Sequence, residues 1–140
     1  MQVRRGELVD VLEGGPGSGS VALLDGGRIG LVTWRTEPGE KAAEVRALAV
    51  QASARGQGVG RALLAAAETA LRAAGIQRAW LVTTNDNLAA LALYQKAGWR
   101  LTALRAGAVD ELRGSIKPTI PVIGEGGISL HDELELAKVL

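Results

Sequence analysis

The chain has 140 residues, 47% of them hydrophobic, and a formal net charge of +1. The length is that of one folded domain, and the hydrophobic fraction is too high for a disordered segment. The charge shows no basic excess of the kind that favours nucleic acid as a partner. It has no cysteine and a single histidine, which excludes disulfides, thiolate catalysis and cysteine-ligated zinc and leaves no local cluster for a metal. No apolar run approaches the roughly 18 residues of a membrane span, and no signal-type apolar core follows the N-terminus, so we expect a cytoplasmic protein without a membrane partner.

The first half of the chain is predicted to consist of strands separated by glycine turns. Two apolar runs flank Gly26-Gly27 and are typical of a β-hairpin, and a third follows a polar connection. The Gly/Pro/Ser-rich residues 14–20 predict a flexible loop, and the apolar residues before them support at most one short strand or turn. We therefore predict strands at 21–25, 28–34 and 44–50.

The second half is predicted to alternate helices and strands. Apolar residues at three- and four-residue spacing predict a helix over 61–74 that ends at Gly75. Candidate N-cap residues predict a second helix over 88–97 that ends at Gly98. Further strands are predicted at 79–84, 100–105 and 128–136.

Residues 107–127 are predicted to be irregular, apart from a helical turn that 109–113 could form. The order of elements predicts an α/β fold of the α+β type, in which a mixed sheet carries helices. We find no internal repeat and predict a single domain over 1–140.

The most informative segment is Arg55–Ala62, between the strand at 44–50 and the helix that follows it. Its three glycines, Gly56, Gly58 and Gly60, lack the Cβ atoms that would keep backbone N–H groups away from a bulky anion. The start of the helix adds unpaired N–H groups and the positive end of its dipole. The segment therefore predicts a pyrophosphate-binding loop made of backbone.

The spacing of this loop excludes two common nucleotide loops. A P-loop requires lysine and then serine or threonine after its second glycine, and that pair is absent. A dinucleotide-binding fingerprint would require a glycine at position 61 or 63, which hold arginine and leucine. The pattern that fits is Arg-x-x-Gly-x-Gly, filled by Arg55, Gly58 and Gly60.

A second motif lies in the predicted helix over 88–97. Asn87 precedes Tyr94, the only tyrosine of the chain, by nearly two helical turns, so both residues lie on one side of the helix, and Gly98 and Trp99 follow. Taken alone, Tyr94 would be an amphipathic packing residue. Together, the two motifs resemble the signatures of the Gcn5-related N-acetyltransferase (GNAT) superfamily. Residues 107–140 also resemble a group of short, mostly uncharacterised bacterial members with no known substrate.

The resemblance implies a mostly antiparallel GNAT-type sheet that splays between the strands at 44–50 and 79–84, with acetyl-CoA bound as cosubstrate in the gap. Backbone groups of Leu48, Ala49 and Val50 would pair with the pantetheine arm, and the N–H of Ala49 or Val50 would stabilise the oxyanion. Asn87 would bind the pantetheine arm or order the start of its helix. The pyrophosphate would lie on the loop, formed by Arg55, Gly56, Gln57, Gly58, Val59, Gly60 and Arg61.

The resemblance also implies an acid and a base. Tyr94, protonated at neutral pH, is the predicted general acid toward the thiolate. Glu44 is the predicted base, acting directly or through water, because superfamily histone acetyltransferases carry a catalytic glutamate at that spacing. The rival carboxylates are Asp110, Glu111, Asp132 and Glu133, while His131 is interpreted as a surface or core residue.

The acceptor is less defined. Residues 107–140 carry six acidic and three basic side chains, which favours a cationic amine over an anionic acceptor. Family members usually have a strand and two helices before the central hairpin that wall the acceptor pocket, and this sequence has far fewer residues there. The resemblance therefore implies a wall that is open, built by 107–127 or supplied by a partner subunit. An exposed terminal strand favours a homodimer.

The leading hypothesis is an acetyl-CoA-dependent N-acetyltransferase that acts on a primary amine of a small molecule or protein by direct attack in a ternary complex. The alternative is a non-catalytic acetyl-CoA or acyl-CoA sensor, which the presence of Tyr94 disfavours. A small NTPase is disfavoured because the P-loop lysine is absent.

Overall fold

The strands and helices of the chain fall into two compact units. The computed structural model describes residues 8–14, 17–24 and 27–140, with side chains from residue 29 onward. One unit contains the described residues up to Trp80 together with Val139 and Leu140, and the other contains Leu81–Lys138. The prediction of a single domain over 1–140 stays a prediction.

The first unit is built on a meander of four strands. Each strand pairs with the next in antiparallel orientation, and the fourth pairs in parallel with the first residues of a fifth, Ala42–Glu44 lying opposite Arg78–Trp80. The sheet is therefore mixed and mostly antiparallel, as predicted. The strands are β1 (Leu8–Gly14), β2 (Gly17–Leu24), β3 (Gly27–Thr36), β4 (Ala42–Val50) and β5 (Arg78–Thr84).

The prediction of a flexible loop over residues 14–20 is wrong for the part of that segment that the structure describes. Gly14 is the last residue of β1 and pairs with Gly17, the first residue of β2. Glycine and serine have low strand propensity, but β2 pairs with β1 on one side and with β3 on the other. Backbone hydrogen bonding to two neighbours outweighs the local preference.

Helix α1 (Val59–Ala73) packs on this meander through the predicted apolar stripe. Leu63, Leu64 and Leu71 are at most 1% exposed, and full burial of a leucine stabilises the fold by roughly 2 kcal/mol. The helix ends before Gly75, whose φ of 81° is the left-handed conformation that favours glycine after a helix. Glu68, on the same helix, is also buried.

The second unit contains the end of β5, from Leu81, β6, and β7 up to Lys138, and these strands neighbour one another in the order β5, β7, β6. Strands β6 (Arg100–Arg105) and β7 (Glu133–Val139) are antiparallel, in a register that runs from Arg100 opposite Ala137 to Arg105 opposite Glu133. Helix α2 (Leu88–Lys96) joins β5 to β6 and is followed by Gly98, with a φ of 93°. The prediction of this helix and of β6 is confirmed. None of the helices in the described residues is long and apolar enough to cross a membrane.

The connection between β6 and β7 is more regular than predicted. Helix α3 (Ala108–Ser115) and a short 3-10 helix over Glu125–Gly127 replace part of the irregular segment expected over 107–127. The last strand begins at Glu133, not at residue 128 as predicted. The segment over 129–132 does not extend the strand because its backbone forms other hydrogen bonds. Leu130 N–H donates to the Val122 carbonyl, and the Asn85 side chain binds the backbone of Ser129, His131 and Asp132.

Candidate active site

The glycine loop between β4 and α1 has the open backbone that the sequence predicts. Gly56 and Gly58 have φ values of 76° and 82°, in the left-handed region that side chains disfavour. A Cβ atom on either residue would meet no atom within 4 Å. Backbone conformation, not crowding within the described residues, therefore explains why glycine occupies both positions.

The loop leads directly into the first turn of α1. Gly58 is the N-cap, no side chain caps the helix, and no acidic residue lies in the first turn. The first intrahelical bond runs from Ala62 N–H to the Gly58 carbonyl at 3.0 Å, so the N–H groups of Val59, Gly60 and Arg61 precede the helical ladder. These donors and the helix dipole favour an anion at this end. The helix starts two residues before the predicted position, which places Val59 and Gly60 within it as well.

The predicted loop side chains differ in what they bind. Arg55 is exposed, and its Nε donates to the Val50 carbonyl at 3.3 Å, which ties the loop to the end of β4. Gln57 Nε2 donates to the Ser53 carbonyl at 3.5 Å. Arg61 is exposed in the first turn of α1. The structure thus brings the loop, the helix start and the end of β4 together within the first unit.

Gly30 of β3 lets α1 pack close to the sheet at this point. A Cβ atom on Gly30 would lie 2.8 Å from the Ala49 carbonyl oxygen, 3.0 Å from Leu63 Cδ1 and 3.3 Å from Val59 Cγ1. The first of these contacts is shorter than real Cβ atoms tolerate, and its partner is backbone. Gly30 therefore sets the distance between β4 and the first turn of α1, a role that the sequence analysis missed.

The backbone of β4 presents alternate residues to its two edges. Gln51 N–H donates to the Ile29 carbonyl at 2.7 Å, and alternate residues of an antiparallel strand direct both N–H and C=O to the same neighbour. In this register Ala49 directs its backbone toward β3, whereas Leu48 and Val50 direct theirs toward the opposite edge. The two alternatives for the oxyanion donor are therefore not equivalent, because the Ala49 N–H belongs to the β3–β4 ladder.

A β-bulge interrupts β4 between Glu44 and these residues. Trp34 lies opposite Val45 and Thr33 opposite Ala47, so Arg46 is the extra residue. The extra residue shifts the alternation of inward and outward side chains by one position. Val45 is therefore buried before the bulge, and Leu48, three residues later, is half-buried after it. Bulges are common beside active sites, where they redirect side chains and end regular pairing.

Glu44 lies between neighbours on both sides of β4. It is opposite Arg35 of β3 and opposite Trp80 of β5, and its side chain is 26% exposed. Its carboxylate is 3.7 Å from Arg46 Nε, a distance at which the ion pair is weak. The residue is thus a partly buried carboxylate with access to water.

Tyr94 lies in the second unit, on α2. Its ring is buried, with a centroid 6.2 Å from that of Trp99 and an interplanar angle of 49°, a tilted aromatic contact that fixes the ring. Burial raises the pKa of Tyr94 above its ordinary value of 10.0, so the hydroxyl is protonated at neutral pH. Such a group is a potential proton donor.

Asn87 is the N-cap of α2. Its Oδ1 accepts a hydrogen bond from Ala90 N–H at 3.2 Å, which satisfies one of the free donors of the first turn. Of the two roles that the resemblance implies for Asn87, ordering the helix start is the one that these contacts describe.

Asp86 also fixes this turn, a role that the sequence did not predict. Its buried carboxylate accepts from Thr84 Oγ1 at 2.5 Å and from Glu125 N–H at 2.9 Å, and a Cβ atom on Gly124 would overlap it. Burial raises the pKa of Asp86, but these hydrogen bonds outweigh the effect and hold it below its ordinary value. The signal in the sequence is only a run of Asn and Asp after a strand.

Two of the four rival carboxylates for the base, Asp132 and Asp110, form hydrogen bonds within the second unit. Asp132 Oδ1 accepts from Gly107 N–H at 2.8 Å. Asp110 binds Arg113 and His131, and the hydrogen bond from His131 is the main reason that the pKa of Asp110 lies below its usual range. Glu111 is exposed on α3, and Glu133 begins β7 opposite Arg105. In the described residues, no three His, Cys, Asp or Glu side chains are grouped to hold a metal ion.

The predicted site residues therefore form two sets, one in each unit. Glu44, Leu48–Val50 and Arg55–Arg61 lie in the first, and Asn87 and Tyr94 in the second. A model of the acetyltransferase (GNAT) family matches residues 4–99, a range that contains both sets. The chain belongs to this family. Acetyl-CoA is the cosubstrate of GNAT enzymes.

Individual proteins resemble this chain in sequence or in fold. YxbD of Bacillus subtilis (strain 168), an uncharacterised protein, is 42% identical over 112 residues, which is 80% of this chain and 67% of YxbD. The IAA acetyltransferase of Bacillus cereus ATCC 14579 superimposes with a TM-score of 0.77 at 28% identity, over 89% of this chain and 79% of that one. A GNAT acetyltransferase of Elizabethkingia anophelis with acetyl-CoA bound gives a TM-score of 0.77 at 26% identity, over 89% and 77% of the two chains.

Proposed function

We propose that this GNAT protein is an N-acetyltransferase that transfers the acetyl group of acetyl-CoA to a primary amine of a small molecule or protein, by direct attack in a ternary complex. The observation that carries the proposal is the uncapped first turn of α1, preceded by two left-handed glycines, in a chain of this family. The three N–H groups that precede the helical ladder, in a first turn that contains no acidic residue, suit a pyrophosphate.

The remainder of the cosubstrate would lie along β4. The backbone groups of Leu48 and the Val50 N–H point away from β3 and would pair with the pantetheine arm as a further strand would, whereas the Val50 carbonyl already accepts from Arg55 Nε. The Val50 N–H would stabilise the oxyanion that develops on the acetyl carbonyl, and the Ala49 N–H is the weaker candidate because it already belongs to the β3–β4 ladder. The Arg55 and Arg61 side chains would add positive charge near the pyrophosphate.

The chemical step requires an acid and a base. The ammonium form of the acceptor, with a pKa of about 10, must lose a proton before its nitrogen can attack. In the proposal Glu44 takes that proton, directly or through water, and the neutral nitrogen attacks the acetyl carbonyl to form the N–C bond and the oxyanion. The C–S bond then breaks, Tyr94 protonates the departing thiolate, and the second proton of the nitrogen passes through water to restore the Tyr94 hydroxyl. Tyr94 carries its proton at neutral pH, as a proton donor must, although burial raises its pKa and so makes it a weaker acid.

The acidic balance of residues 107–140 supports a cationic acceptor. We further propose a homodimer, supported by the terminal strand β6, all six residues of which are exposed. Light scattering of the purified protein tests the dimer, and a monomer at micromolar concentration would contradict it.

The function is tested by calorimetric titration with acetyl-CoA, followed by coenzyme A release with a panel of amines. We expect binding and turnover in the wild type, and in Tyr94→Phe unchanged binding with a kcat lower by about 10² or more, the usual contribution of a general acid. Glu44→Gln should lose activity, whereas the matched control Glu40→Gln, in the exposed connection before β4, should not.

Three outcomes would contradict parts of this proposal. Binding without turnover on any amine would favour the sensor. Full activity of Tyr94→Phe would remove Tyr94 from the acid role, and full activity of Glu44→Gln would remove Glu44 from the base role.

A further inference from the structure

The turn that ends α2 brings the rings of Tyr94 and Trp99 together. Trp99 N–H donates to the Tyr94 carbonyl at 2.9 Å, and Gly98 N–H donates to the Gln95 carbonyl at 3.0 Å. With Gly98 at a φ of 93°, this is the Schellman arrangement, in which the two residues joined by the longer bond commonly make an apolar contact. Here that contact is the tilted ring pair, with centroids 6.2 Å apart. The position of the Tyr94 ring is therefore tied to the geometry of this turn.

Lys138 of β7 supports the same turn from outside the helix. Its Nζ donates to the Ala97 carbonyl at 2.7 Å, and a Cβ atom on Gly98 would lie 3.6 Å from both its Cε and its Nζ. The Lys138 side chain thus lies against the backbone that joins the two rings. Ala97 N–H donates in turn to the Tyr94 carbonyl at 3.1 Å, so two successive hydrogen bonds connect the Lys138 ammonium to the Tyr94 backbone.

The helix dipole alone does not explain this placement. A cation near the last carbonyls of a helix is favourable, but Lys96, the last residue of α2, already supplies one. Lys96 is exposed and forms no hydrogen bond or ion pair with the residues that the structure describes. Lys138, in contrast, is half-buried and bonded to one particular carbonyl. The feature that distinguishes Lys138 is therefore its contact with the turn.

The turn sets the position of one buried ring relative to the other. Trp99 is 2% exposed and Tyr94 is 8% exposed, and Trp99 directly precedes β6, which is paired with β7. A change in the turn would therefore move the Tyr94 ring against a ring that is held in the core. Misplacement of a reacting group by about 1 Å can cost roughly 10² in rate, so a group that holds this turn can control an acid on it.

We propose that Lys138 is a positioning residue, which holds the Tyr94 hydroxyl in the orientation for proton donation by binding the Ala97 carbonyl. The inference rests on the proposed function, in which Tyr94 protonates the departing thiolate. Lys138 acts through Tyr94 and is assigned no contact with either substrate. All of the residues involved lie in the second unit.

Nuclear magnetic resonance of the intact protein tests the positioning without any assay of activity. Tyr94 is the only tyrosine, so its ring ¹³C signals are unambiguous, and they depend on the ring current of Trp99. We expect Lys138→Met, which keeps an apolar stem and removes the ammonium group, to shift these signals. Lys138→Arg should stay close to the wild type, and the matched control Lys96→Met, which removes the same charge from the same helix end, should cause no shift.

Kinetics of coenzyme A release, with the amine of the panel that reacts fastest, test the consequence for the reaction. Lys138→Met should lower kcat about tenfold with the KM of both substrates within about twofold, and Lys138→Arg should restore most of kcat. In a Tyr94→Phe background the same substitution should lower kcat by less than about twofold, because the acid that it positions is absent. Lys96→Met should leave kcat unchanged.

Several results would overturn the proposal. They are unchanged Tyr94 signals in Lys138→Met, equal effects of Lys96→Met and Lys138→Met, a rise in KM without a loss in kcat, and the same loss in kcat with and without the Tyr94 hydroxyl. Urea denaturation shows whether each variant is folded, and Lys138→Gln, which is too short to keep the bond, replaces Lys138→Met if that variant is not. If the wild type releases no coenzyme A with any amine, the proposed function fails, and the Tyr94 signals still decide whether Lys138 positions the ring.

Discussion

The contact between Gly30 and α1 gives a quantitative prediction for the variant Gly30→Ala. The added Cβ would lie 2.8 Å from the Ala49 carbonyl oxygen, which is backbone within a paired strand and cannot rotate away. The contacts to Leu63 and Val59, at 3.0 and 3.3 Å, require those side chains to yield by a few tenths of an ångström. Overpacking of this kind costs about 1–3 kcal/mol.

Alanine also reduces the entropy of the unfolded chain, which returns about 0.4–1 kcal/mol. We therefore expect a net loss of about 1–2 kcal/mol in the free energy of unfolding, measured by urea denaturation. Because the strain falls between β4 and the first turn of α1, the affinity for acetyl-CoA measured by calorimetry should fall as well.

The matched control for this variant is Gly114→Ala. Gly114 lies in α3 and a Cβ there would meet no atom within 4 Å, so this substitution should leave stability unchanged or raise it by up to about 1 kcal/mol. Equal stability and equal acetyl-CoA affinity of Gly30→Ala and the wild type would refute the argument that Gly30 sets the helix–sheet distance.

Three further predictions concern single residues. Gly58→Ala, which forces a side chain into the left-handed region at a φ of 82°, should cost about 1 kcal/mol in urea denaturation and weaken acetyl-CoA binding, and unchanged values for both would exclude the backbone argument. Asp86→Ala, which leaves the partly buried Thr84 hydroxyl and Glu125 N–H without their acceptor, should lower the free energy of unfolding by about 1 kcal/mol or more, and a neutral effect would contradict the role of Asp86 in fixing this turn. Because burial raises the pKa of Tyr94 above 10.0, its contribution to stability should be constant below pH 10 and decline as the pH rises through the folded-state pKa. Urea denaturation of the wild type and Tyr94→Phe between pH 8 and 11 measures the difference, and parallel pH profiles would contradict it.

The parts of the site that could be predicted from the sequence are those fixed by local chemistry. The open loop could be predicted from its glycines, and Gly56 and Gly58 do have the left-handed backbone that glycine favours. Helix α2 follows from the Asn87 cap and the closing glycine. The side of α2 on which Tyr94 lies could be predicted, because nearly two helical turns separate Tyr94 from Asn87.

The parts that could not be predicted depend on partners distant in sequence. The Gly/Ser-rich start of β2 is a strand because it has neighbours on both sides. The segment before β7 is held by the side chain of Asn85, which is 44 to 47 residues away. Helix α3 is short and ends near Gly114, so its periodicity is too brief to distinguish from a turn.

The central claim is that the backbone loop at the start of α1 binds the pyrophosphate of acetyl-CoA. Calorimetry with acetyl-CoA and with S-acetylpantetheine, which carries the same thioester arm without the pyrophosphate, tests it directly. We predict one acetyl-CoA per chain, bound at least about 100-fold more tightly than S-acetylpantetheine, since charge-assisted hydrogen bonds to the phosphates are lost. Equal affinities for the two compounds, or no binding of acetyl-CoA, would contradict the account.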